Sequence, residues 1–405
     1  MSPNAEVNFT RSRCSKPQRN TVKRVLIVSH SSVVDVYQDK LRELAKYKEL
    51  EITLVVPKAY FEGAKLVLAS SNKENFLVHK LSAPFGRLGR QNLHFYPYLF
   101  WVLKRVNPHI IHLEEEPESV VTLEAIYFSK LLKLNSKIVL FTWRNIDKTH
   151  KEWGLLRPQR YIYAFIENYT LKNINYLIAG NQDGAEIFKK KGYNWPIKVI
   201  PQYGVDTRKF RKLENSEALK EQLNLSGFVI GYLGRLWKPK GIETLLKAAS
   251  KIEGKFLLLL LGSGPDRDEF VKLANSLGIG HKIRMINAVK ASDVVYYLNS
   301  IDVLVLPSQT TCEWKEQFGR VLIEAMACEV PVIGSSSGEI SNVIGDAGLI
   351  FQEGNEEDLA DKICALMDNN ELRQQLGNLG RKRVISNYAN SIIAYKLYNI
   401  YKELL

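Results

Sequence analysis

Val303-Leu-Val-Leu-Pro-Ser308, then Glu316-Gln-Phe-Gly-Arg-Val-Leu-Ile-Glu324, then Ala325-Met-Ala-Cys-Glu-Val-Pro-Val-Ile333 reads as a strand, a loop, a helix and a second strand. A short aliphatic run stopped by a proline suits a buried strand, and the apolar spacing after Gly319 suits an amphipathic helix. Two strands joined through a helix lie parallel, so this span selects an α/β sheet. Eight positions separate Glu316 from Glu324, which on a helix is about 80° past two full turns. Glu316 is therefore expected in the loop before the helix and Glu324 one to two turns inside it. The unpaired amides of the first turn face the same space as Glu316, a place suited to a phosphate.

The same pattern extends in both directions. Strands are expected at Phe228–Leu233, Phe256–Leu261, Ile283–Ile286 and Leu349–Phe351, with helices at 241–250, 266–277 and 319–328. A separate series of strands runs through 24–30, 51–56, 110–113, 138–141, 176–179 and 198–200, with helices at 39–47, 95–106 and 162–172. The expected fold is α/β, with two doubly wound Rossmann-like domains facing across a cleft. The expected boundaries are a basic tail over 1–22, a first domain over 23–211 and a second over 212–387. The Tyr-rich helix 388–405 is expected to return to the first domain.

With 405 residues, the chain has room for two cores, and its longest aliphatic run, Phe256–Leu261, is too short to span a bilayer. Residues 1–21 are polar and basic without an apolar centre, so the cytosol is the expected compartment. The four cysteines (Cys14, Cys312, Cys328, Cys364) are too widely spaced for a metal or redox pair. The net charge of +13 is uneven: residues 1–213 hold 35 Lys/Arg against 19 Asp/Glu, and 214–405 hold 21 against 24. A basic first half suits a phosphorylated acceptor, an anionic membrane surface or a nucleic acid, and a generic basic surface looks the same. No nucleic-acid motif accompanies it. No Gly-x-Gly-x-x-Gly follows either first strand, which disfavours a dinucleotide oxidoreductase.

Gly231-Tyr-Leu-Gly-Arg235-Leu-Trp-Lys-Pro-Lys240-Gly241 leaves a strand and opens a helix. Parallel sheets bind ligands at that end, where Gly234 lets the backbone approach and Arg235 and Lys240 supply positive charge. Gly262-Ser-Gly-Pro265 follows the next strand, although such turns are common without a ligand. Glu339 follows a later strand and is placed equally well in the cleft or in solvent. His112-Leu-Glu114-Glu115-Glu116 ends a strand in the first half; because alternate strand residues point oppositely, only one or two acids are expected to face an acceptor. Pro84-Phe-Gly-Arg87-Leu-Gly-Arg90, followed by His94–Trp101, is basic and then aromatic. That order suits a membrane headgroup region or an ordinary aromatic core face.

Taken together, Gly234-Arg235, Lys240-Gly241, Gly262–Pro265, Val303–Ser308 and the Glu316/Glu324 pair resemble glycosyltransferase family 4. Val199-Ile-Pro-Gln-Tyr-Gly-Val-Asp206 resembles that family's interdomain signature. The resemblance is strong over 199–352 and weaker but colinear over 23–198. It implies a GT-B fold and a retaining enzyme that uses a nucleotide-sugar donor without a metal or other cofactor. By the same resemblance, Arg235 and Lys240 hold the donor diphosphate, helped by Gly234, Gly262 and the amides around Phe318 and Gly319. Glu324 takes the ribose hydroxyls and Glu316 lies beneath the reacting sugar, which makes Glu316, Arg235 and Lys240 the candidate catalytic residues. Two departures concern the first domain. The loop His30–Asp35 lacks the family's glycine pair, and Thr142-Trp-Arg-Asn-Ile-Asp147 stands where a histidine is usual. Trp143, Arg144 or Asn145 would fill that place, and Arg144 and Asn145, with Glu115 and Glu116, are the candidates for contact with the acceptor. A sugar or glycolipid acceptor is implied, met at the inner face of the membrane if it is lipid-borne. The competing readings are a hydrolysing or epimerising nucleotide-sugar enzyme and a non-catalytic basic binding protein.

Overall fold

The computed structural model describes residues 22–62, 65–69, 74–88, 92–147, 159–214 and 216–405. The expected basic tail, apart from Val22, lies outside them. Two parallel sheets carry the architecture. In the first domain these are β1 (Lys23–Ser29), β2 (Leu50–Pro57), β5 (Leu77–Leu81), β6 (Ile110–Glu114), β7 (Lys137–Thr142), β8 (Tyr176–Ala179) and β9 (Ile197–Val199). A small antiparallel hairpin, β3 (Ala59–Glu62) with β4 (Lys65–Leu68), is inserted after β2. The second domain has β10 (Phe228–Leu233), β11 (Phe256–Leu261), β12 (Ile283–Ile286), β13 (Val303–Leu306), β14 (Val332–Ser335) and β15 (Leu349–Phe351).

Strand order is β5-β2-β1-β6-β7-β8-β9 in one sheet and β12-β11-β10-β13-β14-β15 in the other. The order reverses between β1 and β6 and between β10 and β13. Loops leaving those four strands diverge and open a crevice, the place where doubly wound sheets bind ligands. The loops are His30–Val34, Glu115–Ser119, Gly234–Gly241 and Pro307–Gly319. Their strands are near-continuous aliphatic runs because helices cover both faces; β11, Phe-Leu-Leu-Leu-Leu-Leu, is buried at five of six positions.

The second domain has one continuous core, which Val205 and Phe210 already join, so the chain enters it some residues before the expected boundary at 211. The first domain has a core on each face of its sheet. The final helix, Asn390–Leu404, builds one of them: Ile393, Ala394, Leu397, Ile400 and Tyr401 pack with Val25, Ile27, Leu54 and Ile110. Tyr398 stacks on Tyr47 at 4.1 Å, and the Tyr401 hydroxyl lies 2.6 Å from His112 Nδ1. The chain thus crosses between domains twice. The crossings are joined where Val205 N–H donates to the Tyr388 carbonyl (2.9 Å) and Asn390 N–H to that of Val205 (3.1 Å). A Cβ on Gly204 would meet the Tyr388 carbonyl at 2.6 Å, a physical reason for the glycine in Gln202-Tyr-Gly-Val-Asp206.

Candidate functional site

On the second-domain side, the loop after β10 is held by the Tyr232 hydroxyl, which donates to the Arg235 carbonyl at 2.7 Å. The loops after β10 and β11 run in backbone contact. A Cβ on Gly262 would lie 1.8 Å from the Gly234 carbonyl oxygen and one on Gly264 2.0 Å from that of Leu236. Close approach within the protein therefore accounts for Gly262. Gly241 has φ +70°, and its Cβ would fall 1.7 Å from the Pro307 carbonyl oxygen, which ties the Lys240 loop to the end of β13.

That junction brings Lys240 to Glu316. One oxygen of the buried Glu316 accepts from Lys240 Nζ and from the Ser308 hydroxyl, both at 2.7 Å. Lys240 also sits 4.7 Å above the Trp314 ring, which meets Trp237 edge-on. Arg235 is exposed, lies over Trp237 at 5.6 Å and has no ion pair among the described residues, so its guanidinium can take a phosphate. Gly319, at φ +77°, caps the helix Arg320–Ala327. Phe318 is buried between Trp143 of the first domain and Tyr388. Glu324 is ion-paired with Arg320 at 2.9 Å, and burial raises its carboxyl. Arg320 in turn lies over Tyr37 of the first domain, so the partner of the carboxylate implied for the ribose reaches across the cleft while the carboxylate itself is held within its own helix.

Gly338 supports Glu316 from behind. Its φ is +54°, its Cβ would lie 2.0 Å from the Glu316 carbonyl oxygen, and Glu339 N–H donates to that oxygen at 3.1 Å. Gly338→Ala is expected to strain the Glu316 loop and to lower stability by about 1 kcal/mol or more, because an L side chain is disfavoured at that φ and its Cβ meets backbone. A chemical-denaturation midpoint equal to the native one would show that the loop tolerates the methyl. Glu339 itself lies between the domains, where its carboxylate accepts from Gln182 N–H at 2.9 Å and burial raises its pKa.

On the first-domain side β6 ends at Glu114, so the alternation that would turn Glu115 away stops there, and all three glutamates line one cavity of about 400 Å³. Glu114 pairs with buried Lys40 and accepts from Gln202 Nε2 at 3.0 Å. Burial favours its protonated form, but Lys40 outweighs this and holds the carboxyl below its usual range. Glu115 accepts from His30 N–H (2.9 Å) and lies 2.7 Å from His30 Nδ1 and 3.7 Å from His94 Nε2. Burial opposes its ionisation, yet the two imidazoles bring the carboxyl down to about 2. These three groups come within 4.8 Å of one another, a spacing compatible with a cation, but they are closed on each other as they stand. Glu116 accepts from the Thr142 hydroxyl (2.6 Å) and Trp143 N–H (3.0 Å). Burial, then repulsion from Glu118, pushes it up to about 7.

The other two acceptor candidates are elsewhere. Arg144 turns away from the cavity into a buried network with Glu118 (2.6 Å) and Glu167 (2.8 Å), because those acids can neutralise it out of water. Asn145 donates to the Lys315 carbonyl at 3.0 Å and so joins the domains. Trp143 occupies the expected position instead: it lines the cavity, and its Nε1 donates to Gln202 at 2.6 Å. Lys40 and Gln202 were not legible as site residues, since each acquires its role from a partner remote in sequence; Ser308, whose partner Glu316 lies eight residues on in the same loop, stood in the quoted strand without a role.

Comparison with known proteins bears on the fold and on the second domain. The chain is 32% identical over 209 residues to the capsular polysaccharide biosynthesis glycosyltransferase CapM of Staphylococcus aureus, covering 50% of this chain and 53% of that protein. It spans about half the length of the curated relatives it matches. Sucrose-phosphate synthase from Thermosynechococcus elongatus superposes with a TM-score of 0.71 at 20% identity, over 94% of this chain and 99% of that one. Anabaena HepE, in complex with UDP and glucose, gives 0.70 at 17% identity over 94% and 100%. These likenesses show a shared GT-B fold. The family model for glycosyl transferases group 1 matches residues 215–383, which is most of the second domain.

Proposed function

We propose that the protein is a retaining glycosyltransferase that moves a sugar from a nucleoside-diphosphate donor to an acceptor hydroxyl, in the assembly of a cell-surface polysaccharide or glycolipid precursor. The observation that carries this reading is the Glu316–Lys240–Ser308 cluster, set beside an uncompensated Arg235 and facing an acid-lined cavity in the other domain. As the bond from the sugar to the diphosphate breaks, negative charge grows on the leaving phosphate and positive charge on the sugar ring. Arg235, Lys240 and the amides near Gly319 suit the first; the Glu316 carboxylate suits the second. Two fixed cations can stabilise the leaving group, so the reading requires no metal.

The transfer is tested with a panel of nucleotide sugars. Release of nucleoside diphosphate, accelerated by an added acceptor, is expected; release of free sugar at a rate indifferent to acceptors would favour a hydrolase instead.

The protein works, in this reading, against an anionic membrane. Among the described residues no helix is long and apolar enough to cross one, so the contact is peripheral. In the aromatic stretch His94–Trp101, His94 and Tyr96 are core and only the later part is exposed; Arg90 lies outside the described residues. The surface instead spans three adjacent helices, Leu99–Val106, Val120–Leu131 and Gln159–Asn173. Trp101, Tyr127, Leu131, Ile162 and Phe165 are each more than half exposed, with Lys104, Arg105, Lys130 and Lys172 among them. The acids of these helices are held inward, Glu124 on Tyr96 N–H and Glu167 on Arg144. Co-sedimentation with vesicles rich in anionic lipid is expected at low salt and is expected to fall at least severalfold at about 1 M salt, where the Debye length is near 3 Å. Binding to neutral vesicles as strong as to anionic ones would oppose the electrostatic part of this contact.

A further inference from the structure

The first half of the chain is strongly basic, yet the cavity it turns towards the cleft is acidic. Three consecutive carboxylates, Glu114, Glu115 and Glu116, line it. Lys40, the lysine paired with them among the described residues, is engaged by Glu114. His30 is hydrogen-bonded to Glu115, and the Gln202 amide donates to Glu114 and to the Ser31 hydroxyl, so these donors are turned towards the protein. The remaining wall is aromatic: Tyr37 and Tyr203 stack at 4.1 Å, and Trp143 and Tyr60 complete it. Gln317, next to Glu316, reaches the cavity from the second domain, so its contents lie beside the reacting centre.

A wall rich in carboxylate lone pairs and ring faces calls for a ligand that brings hydrogen-bond donors and C–H faces. A sugar unit carrying only hydroxyls does so. A carboxylate or phosphate brings acceptors and a like charge into a partly desolvated site, where repulsion is screened far less than in water. We infer that this cavity is the acceptor subsite for an uncharged glycosyl unit, and that units bearing a carboxylate or phosphate are excluded from it. The inference rests on the transferase reading for the word acceptor, and on the cavity alone for the charge preference. Any phosphate of a lipid-borne acceptor then lies outside the cavity, on the basic outer surface.

The test uses the full chain and matched ligand pairs: methyl glucoside with methyl glucuronide, methyl galactoside with methyl galacturonide, and glucose with glucose 6-phosphate. Binding is followed by ligand-observed NMR at slightly alkaline pH. In at least one pair the uncharged member is expected to bind roughly tenfold more tightly, an effect of one charge–charge contact in a semi-polar site. Glu116→Gln is expected to shrink that ratio. Equal or tighter binding of the charged members overturns the inference, as does failure of every uncharged member to bind. Nucleoside diphosphate release from the donor panel is scored separately. Charge discrimination without any release would leave the subsite standing and remove the transferase reading; release together with efficient transfer to a uronate would do the reverse.

Discussion

Glu316→Gln is expected to lower kcat by about 10²–10³-fold, the scale of losing one preorganised electrostatic contact to a transition state. The variant keeps the volume of the side chain and its hydrogen bond to Ser308 but removes the charge. Lys240, 2.7 Å away in the native protein, retains its place over Trp314 and stays available to the diphosphate. Affinity for nucleoside diphosphate is therefore expected to hold or rise while turnover falls, because ground-state binding of the leaving group does not need the carboxylate. Titration calorimetry with the diphosphate and single-turnover kinetics separate the two effects. A variant with native kcat would remove Glu316 from the reaction; parallel loss of binding and turnover would make it a scaffold residue.

Lys40→Met is expected to produce the largest loss of stability. Lys40 and Glu114 side chains are 2% and 1% exposed, and the ammonium also lies 5.4 Å from the Tyr203 ring. Removing one member of such a pair leaves the other charge buried without its partner and costs about 3–5 kcal/mol. Chemical denaturation at neutral pH measures it. The deficit is expected to shrink on acidification, because the stranded Glu114 then titrates above its unfolded value and its folded form gains a proton first. Lys40→Met combined with Glu114→Gln is expected to recover most of the loss, since it removes both charges together. A loss under about 1 kcal/mol in the single variant would mean that water reaches the pair.

Where burial is carried by a run of aliphatic residues, the sequence could be read almost strand by strand: β1, β10, β11 and β13 lie within a residue of their expected ends. The β3–β4 hairpin and the edge strand β5 escaped, because Ala59–Glu62, Lys65–Leu68 and Leu77–Leu81 are short and mixed in character, although Gly63 between the first two was a turn signal that could have marked the hairpin. The loops proposed to hold a donor could be placed because they are short and sit next to strands, so chain position nearly determines place in space. The wall proposed to face an acceptor could not. The number of glutamates in the cavity depends on β6 ending one residue before Glu115, a boundary finer than pattern reading resolves. Arg144 stood one residue past Trp143 in the expected loop, and only the positions of Glu118 and Glu167 show which of the two lines the cavity. The pairing of Lys40 with Glu114 joins positions 74 residues apart and leaves no local trace.

The last helix, Asn390–Leu404, completes the first domain although it follows the whole of the second in the chain. During synthesis the first sheet must therefore wait with Val25, Ile27, Leu54 and Ile110 uncovered while the second domain emerges and folds on its own core. The nascent first domain presents an apolar face for that interval, a natural handle for chaperones and an opening for misassembly. The arrangement also places the lesion of a premature stop far from its site. Loss of the final turns would spare the neighbouring second domain and weaken the N-terminal one, so the damage falls on the domain that carries the glutamate cavity.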